Sequence, residues 1–185
     1  MASDNFNRDP ENPLASPWGV WHSGSPWPQL DLVSNAVKNN EGGAGDVASL
    51  YTTSNELLSQ CVITTVGGRD AGPTICSDGN GNGYFFTNHD ATNLYIYLIS
   101  GGSFNNIGSV AGVYATNDVL KLRRSGNNVI ASINGGDVLT VADTTYMTGN
   151  PGMLCFDTTS VLDDWTDGVA GGPPPAECVE SIEMR

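Results

Sequence analysis

The chain has 185 residues, rich in Gly (23) and Pro (10), with only 15% charged side chains and a formal net charge of −13. That length supports one domain able to bury roughly 70% of its unfolded surface without a disulfide or metal. The composition is that of a turn-rich β-protein rather than a helical one. Twenty acidic against seven basic residues repel phosphate backbones and anionic lipid, so nucleic acid is not an expected partner.

The opening "MASDNFNRDPENP" has no basic segment followed by an apolar one, so no secretory signal is expected. No stretch of about 18 apolar residues occurs, so membrane insertion is not expected either. Cys61, Cys76, Cys155 and Cys178 form no C-x-x-C pair and lie at no zinc spacing with histidine. Cys61, Cys76 and Cys155 read as small buried residues of strands, in a chain folding in a reducing cytosol.

In chain order, "GDVASLY" (45–51), "LSQCVITTV" (58–66), "GPTIC" (72–76), "GYFFTN" (83–88) and "NLYIYLI" (93–99) are strand-like, separated by Gly and Pro clusters. "TTSNELLSQ" (52–60) is the best candidate for a short helical turn. A meander follows: "DVLKLRR" (118–124) places Leu120 and Leu122 on one face, and "NVIASI" (128–133) does so with Val129, Ala131 and Ile133. "NGGD" (134–137) predicts a tight hairpin, because Asn-Gly readily adopts positive φ. "VLTVAD", "PGMLCF" (151–156) and "SVLDDW" (160–165) complete the set. A dozen short strands with turns and no intervening helix predict an all-β antiparallel sandwich or jelly roll. The expected division is a sandwich over 1–168 and a Gly/Pro-rich arm over 169–185, stiffened by Pro173, Pro174 and Pro175.

"SDGNGNGYFF" (77–86) opens like a calcium loop, with Asp78, Asn80, Asn82 and Gly83. Such a loop needs a bidentate Glu at its twelfth position and flanking helices. Here the twelfth residue is His89 and the flanks are strands, so the stretch reads as a turn. No metal site and no cofactor are predicted.

These segments resemble a known family. "SDNFNRDPENPLASPWGVW", with Asp4, Phe6, Arg8, Leu14 and Trp18, resembles the D-x-F-x-R … L … W opening of concanavalin A-like (LamG-type) jelly-roll domains. "NGYFF", the long meander ending in P-G, and "VLDDWTDG" resemble later strands of that family. The resemblance spans about residues 3–168. Cys76 departs from it, standing where the family often has Arg. It implies a jelly-roll fold with Trp18 and Trp165 in the core. The family includes lectins, carbohydrate-binding modules, glycoside hydrolases and bacterial or phage surface domains, among which fold does not choose.

Glycoside hydrolysis usually takes two carboxylates about 5–9.5 Å apart. The retaining hydrolases of this fold carry them as E-x-D-x-x-E on one strand, a run this chain lacks. Asp163 and Asp164 alternate faces, Glu177, Glu180 and Glu183 have no strand spacing, and His22 and His89 lack an evident nucleophile. The expectation is that the chain is not an enzyme. In "NLYIYLI", Tyr95, Tyr97 and Ile99 oppose Leu94, Ile96 and Leu98, and in "GYFF" Phe85 opposes Tyr84 and Phe86. Both faces are apolar, so the one outside the core calls for a cover: a loop, a protein neighbour or a sugar. Candidate glycan or partner contacts are Trp21, Trp27, Tyr84, Tyr95 and Tyr97, with Pro173, Pro174 and Pro175 as arm contacts. A sandwich beginning within three residues of Met1, without an export signal, suggests a phage virion surface protein made in the host cytoplasm. It would self-associate and bind other virion proteins. Glycan recognition is the alternative.

Overall fold

The computed structural model describes residues 2–20, 29–39, 47–51, 57–67, 70–156 and 158–167. Among them are fifteen strands and no helix. They are β1 (Ser3–Asp4), β2 (Trp18–Val20), β3 (Asp31–Val33), β4 (Ala36–Lys38), β5 (Val47–Tyr51), β6 (Leu58–Thr65), β7 (Ala71–Ser77) and β8 (Gly83–Thr87). The rest are β9 (Asn93–Ser100), β10 (Ser103–Ala111), β11 (Asp118–Ser125), β12 (Asn128–Ile133), β13 (Gly136–Ala142), β14 (Asn150–Cys155) and β15 (Val161–Thr166). Eight strands form one sheet in the order β13-β12-β11-β6-β15-β4-β3, with β1 paired to β15. Seven form the other, β10-β9-β8-β7-β14-β5-β2. The predicted antiparallel jelly-roll sandwich is what the chain forms.

Alternation decides what the sandwich encloses. Leu120, Leu122, Val129 and Ala131 of the meander face inward, as the pattern predicts, and meet Ile75, Tyr84, Phe86, Leu94 and Ile96 of the other sheet. The β12–β13 hairpin turns at Asn134 (φ 51°) and Gly135 (φ 83°), the left-handed backbone that Asn-Gly supplies. Cys61, Cys76 and Cys155 are buried, as the sequence pattern predicts. On one flank the edge strands β10 and β13 approach closely: a Cβ on Gly108 would meet Val141 Cγ2 at 2.5 Å. A register shift between Asn106 and Gly108 makes this possible.

Two tryptophans join the sheets. Trp165 of β15 stacks on Tyr51 of β5 (4.7 Å between centroids) and packs edge-on against Trp18 of β2 (4.8 Å). Its indole N–H donates to Ser59 Oγ at 2.9 Å, and that hydroxyl donates to the Gly152 carbonyl of the opposite sheet at 2.7 Å. The Trp18 indole donates to Asp4 Oδ2 at 2.9 Å, and Asp4 also receives Arg8 Nη1 at 2.6 Å. Both buried rings thus keep their polar atoms partnered.

A second polar knot closes the end near the β7–β8 loop. Tyr84 is fully buried. Its hydroxyl donates to Asp143 Oδ1 (2.5 Å) and accepts from Arg124 Nη2 and the Tyr146 amide (3.0 Å each). The guanidinium lies 5.3 Å from the Tyr84 ring centroid and also donates to the carbonyls of Asp143 and Tyr146. Tyr84 is therefore corrected from candidate contact to core residue. Alternation separates Phe85 from Tyr84 and Phe86 as expected, and it is Tyr84 and Phe86 that take the inward face.

Replacing Trp165 by Ala should lower stability by about 3–5 kcal/mol, read by urea unfolding; a loss under about 1 kcal/mol would remove it from the centre of the core. Burial, and then the bond to Asp143, pushes the Tyr84 phenol up to about 12. In the unfolded chain it ionises near 10. Its stabilisation is thus complete below about pH 10 and lost as pH rises toward 12. Thermal melts across that window should show a steep fall in Tm that is shallower in Tyr84→Phe. Identical alkaline limbs would mean another group governs it.

Candidate functional site: an aromatic row on the seven-stranded sheet

Cross-strand partners share a face. Phe85 of β8 stands opposite Tyr97 of β9, and Tyr97 opposite Asn106 of β10. Ile99 is opposite Phe104, and Tyr95 opposite Ser109. This outer face therefore carries Phe85, Tyr95, Tyr97, Ile99, Phe104, Asn106 and Ser109. Phe85, Ile99 and Leu154 are closed off completely, with Tyr97 and Phe104 packed against them. Tyr95 and Tyr97 remain partly exposed, and Asn106 and Ser109 beside them are exposed.

The rings form a continuous row. Phe85 and Phe104 meet at 6.2 Å, Phe104 and Tyr97 at 5.8 Å, and Tyr97 and Tyr95 stack at 5.6 Å with planes 19° apart. The His89 ring stands nearly perpendicular to both tyrosines, 6.1 Å from each. Edge-to-face and offset contacts of this kind hold ring orientation beyond mere burial.

Two carboxylates fix the polar end of the row. Asp90, exposed in the β8–β9 loop, receives the Tyr95 hydroxyl (2.5 Å), the amides of Thr92 (2.8 Å) and Asn93 (2.7 Å), and the Thr92 hydroxyl (2.8 Å). The Tyr95 bond, foremost among these, holds the Asp90 carboxyl well below the usual carboxylate range. The same bond raises the Tyr95 phenol above its ordinary value. Asp70, just before β7, places Oδ2 2.7 Å from His89 Nδ1. Antiparallel pairing of β7 with β8 brings the start of one strand beside the end of the other.

Of the residues singled out from sequence, Tyr95 and Tyr97 lie together here, whereas Tyr84 is on the opposite face, in the core. Trp21, Trp27, Pro173, Pro174 and Pro175 lie outside the described residues. Phe104, Asn106 and Ser109 carry no clear sequence signal, because the bulge in β10 breaks its alternation. Asp70 and His89 are 19 positions apart, and strand pairing was the signal that could have joined them.

The Asp78 loop is a turn, as predicted. Asp78 Oδ1 accepts the Asn80 amide and Oδ2 accepts Asn82 Nδ2, both at 2.8 Å, while Asn82 Oδ1 accepts the Gly101 amide at 2.8 Å. Among the described residues, no group of three or more His, Cys, Asp or Glu could hold a metal ion.

No protein-family model and no curated protein sequence matches the chain. Solved structures do. A carbohydrate-binding module, CBM66 from Bacillus subtilis, matches with a TM-score of 0.62 at 19% identity, covering 80% of this chain and 93% of the module. SCLam, a non-specific endo-β-1,3(4)-glucanase from family GH16, matches at 0.53 and 11% identity over 91% of each chain. A Bacillus licheniformis β-glucanase matches at 0.51 and 11%, over 89% of this chain and 95% of the enzyme. These likenesses establish the concanavalin A-like jelly-roll fold, without support for its LamG-type branch. They also correct the expectation that the chain is not an enzyme: the scaffold is one that endo-glucanases share, and fold alone does not separate binder from enzyme. Nothing in them supports a virion role, virion partners or self-association.

The Asp90–Tyr95 bond can be read directly. In Asp90→Ala, one tyrosine should titrate at lower pH than in the parent when phenolate absorbance is followed. An unchanged titration curve would mean that the bond does not form in solution.

Proposed function

We propose that this chain binds carbohydrate on the outer face of its seven-stranded sheet. The observation that carries the reading is the partly exposed Tyr95–Tyr97 stack, bordered by the exposed Asn106 and Ser109 and by His89 and Asp90. A sugar ring presents C–H patches that pack on aromatic surface and hydroxyls that need hydrogen-bond partners. A largely apolar surface with a few placed polar groups meets both demands. The row is held in place before any ligand arrives, which lowers the ordering cost of binding.

The fold supports the reading, since a carbohydrate-binding module and β-glucanases are built on the same sandwich. Charge narrows it to uncharged glycans. The described cations, Arg8, Lys38, Lys121, Arg123 and Arg124, lie on the N-terminal segment and the eight-stranded sheet, away from this face. A net charge of −13 opposes polyanionic sugars as it opposes nucleic acid.

The test is calorimetry against a soluble β-1,3-glucan, a β-1,3-1,4-glucan and soluble starch, with a reducing-end assay on the same mixtures. At least one should bind, and Tyr95→Ala and Tyr97→Ala should each weaken it about tenfold or more, near 1.4 kcal/mol, with melting temperatures kept. Binding that ignores both substitutions, or no binding to any of the three, defeats the proposal. Release of new reducing ends would show that the face also cleaves what it binds.

A further inference from the structure

Resting on the glycan reading, we infer that His89 is the polar contact of the aromatic row and that Asp70 is its positioning residue, so that binding is linked to protonation of the imidazole. The Asp70 side chain is 10% exposed and the His89 side chain 40%, with Nδ1 of the imidazole 2.7 Å from Asp70 Oδ2. Nδ1 is thereby committed to the protein. Among the described residues Nε2 has no hydrogen-bond partner, although the ring is wedged against both tyrosines. A ring fixed on three sides with one nitrogen open is placed to meet a hydroxyl of a sugar lying on Tyr95 and Tyr97.

The groups facing it are Asp70 before β7, Asp90 in the β8–β9 loop, and Tyr95 and Tyr97 of β9. None of these is cationic; Arg69, next to Asp70 in sequence, lies outside the described residues. With Nδ1–H donated to the carboxylate, the neutral ring offers Nε2 only as an acceptor. Protonation turns Nε2 into a charged donor, whose bonds are roughly twice as strong as neutral ones. The imidazolium is balanced by Asp70, whose Oδ2 lies 2.7 Å from Nδ1. Affinity should therefore be higher with the ring protonated than with it neutral.

The same three polysaccharides serve as probes at pH 5 and pH 8, with wild type, His89→Gln, Asp70→Asn and, as control, His22→Gln. Wild type and His22→Gln should bind about three- to tenfold tighter at pH 5. His89→Gln should bind more weakly and lose the pH dependence, and Asp70→Asn should blunt it. If the pair only staples β7 to the loop, His89→Gln and Asp70→Asn will lower Tm yet leave affinity and pH profile unchanged, and the inference fails. Binding lost in Tyr95→Ala and Tyr97→Ala but untouched in His89→Gln defeats the inference and spares the glycan reading. No binding by any form defeats both.

Discussion

A strand presents every second side chain to each of its faces, and a strand greasy on both faces cannot lie on a sheet with one wet side. β8 and β9 are such strands, and much of the molecule follows from them. Their inner residues, Tyr84, Phe86, Leu94 and Ile96, help fill the sandwich. Their outer residues had to be closed off as well, and Phe85 and Ile99 are, together with Leu154 of β14. Tyr95 and Tyr97 continue the same line but stop short of full burial. The partly open row is thus the margin of a second, smaller core, and its rigidity derives from the packing that closes the rest.

Polar atoms on large buried rings impose a different constraint, since an unpartnered donor in the interior costs about 1–3 kcal/mol. The chain meets it by letting those atoms bind the sheets together. The Trp165 indole, the Ser59 hydroxyl and the Gly152 carbonyl form one relay across the sandwich. At another place Arg124, Tyr84 and Asp143 gather β8, β11 and the segment after β13 around a single hydroxyl. These knots specify how the sheets stack, which apolar packing alone would leave looser. Cys76 belongs to the same neighbourhood: burial raises its thiol, and the Arg124 guanidinium partly offsets that effect.

Much of this was legible in the sequence. In the meander from Asp118 to Ala142 the predicted inward residues Leu120, Leu122, Val129 and Ala131 are buried, and the Asn134–Gly135 turn has a local cause, so both emerge from the pattern alone. The absence of helix periodicity and the density of turns settled the class. β10 was not legible, because "SFNNIGSVA" is polar and its bulge near Ile107 shifts the alternation midway. β1 to β4, of two or three residues each, are too short for any period to register. Tyr84 was misplaced for a deeper reason. Alternation tells which residues share a face, but where both faces are apolar only the partner sheet decides which is inside. The Asp70–His89 pair is a product of strand pairing, and its members carry no mark of each other locally.

The two carboxylates at the end of the row show why fold likeness and residue inventory each fall short of function. Counted in the sequence, Asp70 and Asp90 are two acids among twenty, and a search for paired catalytic acids passes over them. Placed in the sheet, each holds a ring: Asp90 the Tyr95 phenol, Asp70 the His89 imidazole. A carboxylate already accepting a phenolic proton and two backbone amides has little freedom left for direct recognition. Its contribution is to fix where an aromatic surface lies. That division of labour, in which the acids hold the rings and the rings present the surface, suits an uncharged ligand read through shape and hydroxyl geometry. A polyanion would meet the negative charge that these supports carry, with no described cation on the same face to answer it.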